Sequence, residues 1–204
     1  MGLARLKALG EEYPLEVTHK AFLLRPNTPQ EGAPRPLRPG ERPGKLAPHL
    51  KEVALSAGLD KMRRPERTSN SMRALQTAKH AERQGALERV VDGFYRAYWE
   101  ESEDIGALPV VRRVAEEAGL AWAPLEAALE ASTHAGEVLR DYEQAHGVGF
   151  TAVPAFVFGD AGFTGAQPME VFRRAAEKAA EALRADPRAF DRQREAFAAR
   201  PETA

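Results

Sequence analysis

The most informative absence in this sequence is cysteine, which does not occur among its 204 residues. Without cysteine, the chain's own side chains cannot form a disulfide bond, a thiol nucleophile or a thiolate metal site. Long apolar runs are also lacking, since none approaches the roughly 20 residues that a membrane-spanning helix requires. Charged residues such as Arg5, Lys7 and Glu11 interrupt the N-terminus, where a signal peptide would be hydrophobic. We therefore expect a cytoplasmic protein with no membrane partner.

An excess of charge of either sign is lacking too. Lys and Arg together number 29, and Asp and Glu number 30, so the net charge at pH 7 is -1. Nucleic acids bind to surfaces with a net excess of basic side chains, and we therefore expect no nucleic-acid partner. Hydrophobic residues make up 43% of the chain and charged residues 29%, which is typical of a globular protein with a sizeable core.

Apolar periodicity predicts a helix from the first residues and a strand after it. Leucine recurs at every third residue from Leu3 to Leu9, and Pro14 ends the predicted helix. Residues 15–24, LEVTHKAFLL, are predicted to form a strand whose second half is apolar on both faces, as in a covered sheet. Residues 25–44 are rich in proline and glycine, and we expect no regular structure there.

Residues 45–146 are predicted to form a block of amphipathic helices that contains no strand of its own. Apolar residues recur there at helical spacing in six stretches. Capping residues and stops such as Gly58, Gly119 and Gly147 separate these stretches. The pattern therefore indicates an all-helical unit inserted into an α/β protein.

The pattern returns to strand after Gly147. AFVF over residues 155–158 is a short apolar run, GDAG is a turn signal and FT begins a second strand, so a β-hairpin is predicted. Pro168 stands at a favoured first helical position. Apolar residues at helical spacing then predict a long helix over residues 171–183.

The order of predicted elements is helix, strand, helical block, β-hairpin and helix. A parallel-sheet unit normally opens with a strand, because its first helix crosses over from one strand to the next. We therefore predict an α/β fold whose first strand is missing from the chain. The predicted organisation has four parts: an α/β domain in two segments, residues 1–44 and 147–184, an inserted helical domain, residues 45–146, and a polar C-terminal tail, residues 185–204. One helical turn is expected in the tail around Phe190 and Phe197.

The histidines do not suggest a metal site. They form no recognisable ligand pair in the sequence, and surface positions are expected for them. The five are His19, His49, His80, His134 and His146. Nucleotide-binding loops and serine-hydrolase motifs do not occur either.

The proline at residue 154 admits two interpretations. A trans proline at the start of a strand is the commoner arrangement, since only about 5–6% of X–Pro bonds in folded proteins are cis. A cis Val153–Pro154 bond would instead expose the backbone of Val153 for pairing with an extended substrate. The base rate alone favours the trans bond, whereas the family resemblance of GVGFTAVP, the hairpin and GAQP, described next, implies the cis bond.

Several stretches of the chain resemble one family. GVGFTAVPAFVF, FTGAQPMEVF and FLLRP are similar to landmarks of the DsbA-like branch of the thioredoxin superfamily, in particular its FrnE-like and 2-hydroxychromene-2-carboxylate isomerase-like members. NSMRALQTAKHAERQG and FYRAYWEESEDIG resemble the helices inserted in those proteins. The resemblance covers most of the chain. It implies a thioredoxin fold that an all-helical domain interrupts between the second strand and the cis-proline strand.

The resemblance also implies a function, namely thiol–disulfide exchange with a disulfide-containing protein or a small thiol, without a cofactor. The implied substrate-binding residues are Val153, Pro154, Ala152 and Gln167. Family members carry Cys-x-x-Cys, or a serine in related isomerases, at the N-terminus of the first helix, where the helix dipole stabilises a thiolate. That helix begins here at Met1 and Gly2, so no catalytic residue carries over. We expect the chain as given to hold substrate but to lack oxidoreductase activity.

Two other functions remain open. The chain could belong to an isomerase or a kappa-class glutathione transferase, which would bind glutathione at Val153 and activate its sulfur with a serine. It could also be a binding or scaffold protein that has lost its dithiol.

The missing first strand has a structural consequence. Backbone groups of the two strands beside it would be left unpaired. Association through that edge, including a homo-oligomer, is therefore one expected outcome.

We predict that Met1 is not the natural start, because helical periodicity already runs at Leu3 and the first turn has no capping residue before it. The upstream reading frame is expected to encode about ten to twenty residues, comprising a short strand, a turn and Cys-x-x-Cys or a serine-containing equivalent. Sequencing the DNA immediately 5′ of the Met1 codon checks this. An in-frame stop codon directly upstream would contradict it.

Overall fold

The computed structural model describes residues 1–191 and residue 195. Within them the chain forms eight helices and four short strands. In chain order these are α1 (Gly2–Glu12), β1 (Ala33–Pro34), α2 (Pro48–Ser56), β2 (Arg67–Thr68), α3 (Met72–Glu82), α4 (Leu87–Trp99), α5 (Leu108–Glu117), α6 (Trp122–Glu130), α7 (Ala135–Gly147), β3 (Ala155–Phe158), β4 (Ala161–Thr164) and α8 (Met169–Ala185). None of the helices in this part of the chain has the length and apolar character needed to cross a membrane.

One hydrophobic cluster joins the first helix to the last helix and to the β-hairpin. Leu9 of α1 and Phe172 of α8 are fully buried at its centre. Phe156 of β3 and Phe163 of β4 lie with their ring centroids 4.8 and 5.0 Å from that of Phe172. Strands β3 and β4 pair in antiparallel register, with Ala155 opposite Thr164. The structure therefore confirms the predicted first helix, hairpin and last helix.

The helices α3 to α6 share a second cluster. Its buried members are mostly alanine and valine: Ala74, Ala81, Ala86, Val90, Phe94, Ala97, Val111, Val114, Ala115, Ala118, Leu120 and Leu125. Small side chains allow these helices to approach closely. At Gly93 of α4, an added Cβ would lie 2.8 Å from Val114 Cγ1, so glycine is needed where α4 crosses α5. The six helices predicted for residues 45–146 are all present.

Residues 15–24 do not form the predicted strand. They make no strand pairing in the described structure, in which β3 pairs only with β4. Ala21 and Leu23 pack instead against Val138 of α7. Val17 and Leu24 remain 45% and 53% exposed. The prediction of a covered sheet was therefore wrong, because Leu24 is exposed, and so is Val17, which the spacing placed on the same face as Ala21. An adjacent strand is required to turn such a segment into sheet.

The proline-rich residues 25–44 are more ordered than predicted. Strand β1 lies within them and pairs with β2, so the expectation that the helical block has no strand was also wrong. The guanidinium of Arg64, only 4% exposed, donates hydrogen bonds to the carbonyl oxygens of Arg35 at 3.0 Å and Pro36 at 2.8 Å. It also pairs with Glu41 at 3.1 Å. One distant arginine therefore organises a loop that local propensity alone would leave irregular.

The C-terminal tail is only partly described. Residues 187–190 form a turn that includes Phe190, in agreement with the predicted turn. Phe197, the other residue of that prediction, lies outside the described residues.

A buried carboxylate links residues 15–24 to the helices. Asp141 of α7 is 6% exposed, and one of its oxygens accepts a hydrogen bond from the backbone N–H of Ala21 at 2.9 Å. The ammonium groups of Lys79 and Lys20 lie 2.7 and 3.1 Å from its two oxygens. Burial of a carboxylate is tolerated only when donors and opposite charges surround it in this way.

Substituting Asp141→Ala is expected to lower the free energy of unfolding by about 3 kcal/mol, because the buried N–H of Ala21 loses its acceptor and the ammonium of Lys79 is left with the longer ion pair to Glu82 at 3.5 Å. Chemical denaturation monitored by circular dichroism measures the change. The matched control is Asp160→Ala, whose ion pair with Lys178 is mostly exposed. That variant should change stability by no more than about 0.5 kcal/mol. Equal effects of the two substitutions would contradict the assigned role.

Candidate functional site

The Val153–Pro154 peptide bond is cis, as the sequence motif predicted. It lies in the loop between α7 and β3. The side chain of Val153 is 44% exposed, and Ala152 beside it is exposed as well. Within the described residues, neither the backbone N–H nor the carbonyl of Val153 takes part in a hydrogen bond. Both backbone groups therefore lack a hydrogen-bond partner among the described residues.

The start of α1 lies directly against this loop. A Cβ atom added to Gly2 would be 2.7 Å from Phe156 Cζ and 3.0 Å from Pro154 Cγ, so no side chain fits at that position without displacing its neighbours. Met1 occupies the N-cap of α1 and makes no side-chain capping hydrogen bond. The free N–H groups and the positive end of the helix dipole are thus next to the cis-proline.

A second loop, residues 165–167, is hydrogen-bonded to the loop that contains Pro154 and supports it. The backbone N–H of Gly165 donates a hydrogen bond to the carbonyl oxygen of Pro154 at 2.7 Å. The guanidinium of Arg5, in the first turns of α1, donates to the carbonyl oxygens of both Ala166 and Gln167. Gly165 adopts φ +83°, a conformation that disfavours other residues. Three separate parts of the chain are therefore held together around Pro154.

The electrostatic environment at the start of α1 favours an anion. No acidic residue lies in the first turn of the helix, and within the described part of the chain the guanidinium of Arg5 donates hydrogen bonds to neutral carbonyl groups. Burial, and then the positive charge of Arg5, lower the pKa of the Met1 amine below its usual value. Both effects disfavour a cation, and Arg5 together with the helix dipole would stabilise a negative charge at the same place.

The predicted substrate-binding residues lie in the two loops just described. Val153, Pro154 and Ala152 belong to the first, and Gln167 to the second. The Gln167 side chain donates a hydrogen bond to the carbonyl oxygen of Thr164 at 2.8 Å and so supports its own loop. The role of these residues in binding a substrate stays a prediction.

Two residues at the site were missed from the sequence. Gly2 permits the close approach of α1, and Arg5 joins α1 to the second loop. A glycine in the first turn of a helix is a signal of close backbone approach that could have indicated Gly2. Arg5 gives no such signal, since its hydrogen-bond partners are more than 160 residues away.

One histidine differs from the sequence-based expectation of surface positions, because His134 is only 6% exposed. Its Nε2 atom, at the start of α7, lies 3.4 Å from His80 Nδ1 of α3. The two residues are 54 positions apart, and only the packing of α3 beside α7 brings them together. Burial is the largest cause that lowers the pKa of His80, followed by the charges of His134 and Arg83. Among the described residues there is no group of three histidine, aspartate or glutamate side chains arranged to hold a metal ion.

The cis-proline loop, the adjoining helix start and the hairpin–helix unit define a thioredoxin-type protein. The family model described as "DSBA-like thioredoxin domain" matches residues 1–177, and the chain belongs to this family. It contains no cysteine, so the redox motif is absent from it. The structure is a mostly helical α/β protein, consistent with a helical insertion in the family fold.

Solved structures similar to this chain include two proteins of related description. The crystal structure of a probable DsbA oxidoreductase from Streptomyces coelicolor matches with a TM-score of 0.72 and 26% identity over 87% of this chain and 82% of that chain. A putative protein disulfide isomerase from Nitrosomonas europaea matches with a TM-score of 0.55 and 17% identity over 88% of this chain and 90% of that chain, a similarity of fold.

One curated relative matches over a shorter length. The uncharacterized protein YwbO from Bacillus subtilis is 36% identical over 86 residues. The match spans 40% of this chain and 41% of that relative, which is less than half of either protein.

We expect Gly2→Ala to destabilise the protein, because the new methyl group meets Phe156 and Pro154 at less than normal contact distance. The loss should be about 1–2 kcal/mol in thermal or urea unfolding. Gly10→Ala in the same helix is the matched control, since nothing lies within 4 Å of its added Cβ. It should stabilise the helix by roughly 0.5–1 kcal/mol. A neutral or stabilising Gly2→Ala would show that α1 does not press against Pro154.

Proposed function

We propose that this chain provides the substrate-holding part of a thiol–disulfide oxidoreductase. The observation that carries the proposal is the free backbone of Val153, next to a cis-proline and directly beside the N-terminus of α1. The similarity to a probable DsbA oxidoreductase at 26% identity supports the same reaction class. The proposed layout is the one expected from the sequence, with a thioredoxin fold over residues 1–44 and 147–184, a helical insertion over 45–146, a tail over 185–204 and the first strand absent.

The proposed binding mode is addition of an extended peptide to the loop before β3. The N–H and the carbonyl of Val153 would pair with one residue of the peptide, as in other complexes in which a strand is added to a sheet edge. Main-chain pairing is independent of side-chain identity, which suits a protein that acts on many disulfide-containing chains. The peptide's sulfur atom would then lie beside the start of α1.

Exchange at that place requires a dithiol that this chain does not contain. A thiolate at the N-terminus of α1 would attack one sulfur of a substrate disulfide, forming a mixed disulfide as the other substrate sulfur leaves with the electron pair. The second thiol, as its thiolate, would then attack the mixed disulfide and release the substrate's remaining thiolate. The substrate gains two electrons and the dithiol becomes a disulfide, and oxidation of a substrate runs these steps in reverse. Arg5 and the helix dipole would stabilise the thiolate.

The absence of cysteine favours a second candidate, a binding protein without redox chemistry. Both candidates use the same peptide-binding loop, and only the first is completed by a dithiol. If the chain instead belongs to a glutathione-dependent isomerase or transferase, it should bind glutathione alone, and this binding should be saturable.

The peptide-binding step is tested on the chain as it exists. Carboxymethylated insulin B chain, an unfolded peptide that cannot exchange disulfides, is expected to bind saturably in fluorescence polarisation. Val153→Pro removes the N–H of residue 153 and should weaken binding about tenfold, the loss of roughly one hydrogen bond to a desolvated group. Val153→Ala retains the N–H and should bind within about twofold of the unaltered chain. An unchanged affinity in Val153→Pro, with its fold verified by circular dichroism, would rule out this binding mode.

The redox step is tested by adding a segment with a short apolar strand and Cys-x-x-Cys in front of Met1. The extended protein is expected to reduce insulin disulfides in the presence of dithiothreitol, whereas a matched Ser-x-x-Ser extension should be inactive. Val153→Pro in the extended protein should lower kcat/KM mainly through KM. Peptide binding without activity in the Cys-x-x-Cys protein would favour the binding-protein candidate. Calorimetric binding of glutathione with no insulin reduction would favour the glutathione-dependent enzyme.

A further inference from the structure

A histidine pair lies outside the cis-proline site, where the end of α3 meets the start of α7. His80 Nδ1 and His134 Nε2 are 3.4 Å apart, and the two ring centroids are 5.5 Å apart. His134 is 6% exposed, whereas His80 is only partly buried. The His134 side of the pair is therefore buried in the protein, and His80 lies nearer to the surface.

The separation of the two nitrogens fits a shared metal ion better than a hydrogen bond. Hydrogen bonds from N–H groups have donor–acceptor distances of about 2.9–3.0 Å, so 3.4 Å is long. Two imidazole nitrogens that bind one zinc ion at about 2.0–2.1 Å with tetrahedral angles lie about 3.4 Å from each other. The observed distance matches this arrangement without any movement of the backbone.

Each ring also has a partner on its outer nitrogen. His134 Nδ1 lies 3.2 Å from Glu137 Oε1, and a carboxylate can only accept a hydrogen bond there. His134 Nδ1 therefore carries a proton, and in the neutral imidazole the lone pair is on Nε2, the nitrogen that lies 3.4 Å from His80 Nδ1. This combination of a carboxylate, a histidine and a metal is common in metalloproteins, because the carboxylate orients the ring and raises its basicity.

His80 can present a lone pair in the same way. The amide nitrogen of Gln84 lies 2.7 Å from His80 Nε2, and in this orientation it donates a hydrogen bond to an unprotonated ring nitrogen. A half-turn of the amide about its terminal bond places its oxygen there, where it accepts a hydrogen bond from Nε2–H. His80 Nδ1 is then unprotonated and free to bind a cation.

The charges around the pair are balanced before a cation binds. Arg83 donates hydrogen bonds to both oxygens of Glu137 at 2.8 Å, which holds this carboxylate in place and pairs its charge. The ligand atoms themselves are two neutral imidazole nitrogens. Such donors suit Zn²⁺, Ni²⁺ and Cu²⁺, and Cu²⁺ is bound most tightly of these.

We propose that His80 and His134 bind one divalent transition-metal ion of the zinc and copper class. The protein would supply two ligands, since no group of three histidine, aspartate or glutamate side chains among the described residues is arranged to hold a metal ion, and water would complete the coordination. The ion would join the end of α3 to the start of α7, and so brace the helix that leads into the cis-proline loop. Metal binding of this kind stabilises the folded state by mass action.

The test uses the full chain, purified without a polyhistidine tag and titrated with ZnSO4 by calorimetry at pH 7.5. One ion is expected to bind per chain. His80→Ala should abolish this binding, whereas His49→Ala, an exposed histidine of α2, should leave it unchanged. Glu137→Gln should weaken binding about tenfold or more, because it no longer orients His134 as a carboxylate does. Circular dichroism verifies that each variant is folded.

Binding of Cu²⁺ gives a second measurement, which reports direct ligation by the two histidines and is unaffected if they have only a structural role. Electron paramagnetic resonance of the Cu²⁺-loaded chain should show hyperfine splitting from two nitrogen ligands, and His80→Gln should remove one of them. Binding that persists in His80→Ala, or that is lost equally in His49→Ala, would overturn the proposal. The same conclusion follows if no Zn²⁺ binds, or if the copper spectrum shows oxygen ligands only.

Discussion

The buried carboxylate of Asp141 is the contact on which the arrangement of the chain depends. It binds the N–H of Ala21 and the ammonium groups of Lys79 and Lys20, which lie on α3 and on the extended segment. That segment pairs with no strand in the described structure, so this carboxylate replaces a sheet ladder as its attachment to the helices. A buried charge without these partners would cost several kcal/mol, and the geometry is therefore specific. The path of the chain from α1 into the helical region follows from it.

The candidate site depends on a different constraint, the packing of aromatic rings around Phe172. With Leu9 and the rings of the hairpin, Phe172 fixes α1 against β3. Gly2 then allows the start of α1 to touch Pro154. The electrostatics that favour an anion follow from this contact, because the helix dipole acts only within the first turn. The position of the helix start, where the thiol chemistry is proposed, thus depends on hydrophobic packing several residues away from it.

Local signals in the sequence were sufficient for most of the elements. Helical periodicity identified all eight helices, and an apolar run followed by a glycine turn identified the hairpin. The cis bond at Pro154 was identified through the family resemblance of the residues around it. The strand predicted over residues 15–24 failed because an alternating pattern specifies a buried face, but not a hydrogen-bonded neighbour. Strands β1 and β2 were not predicted, because each has only two residues and pairs with residues more than 30 positions away.

The sequence alone determined the helix and hairpin positions, the family resemblance and the absence of thiol chemistry from the chain's own side chains. These properties depend on residue type and on neighbours within a few positions. Only the tertiary structure decided which distant groups meet: Arg5 with the loop at Gln167, Asp141 with Ala21, and His80 with His134. Each of these pairs spans between 54 and 162 positions. Their contact is set by how helices pack, and the pattern of a single segment carries no information about that packing.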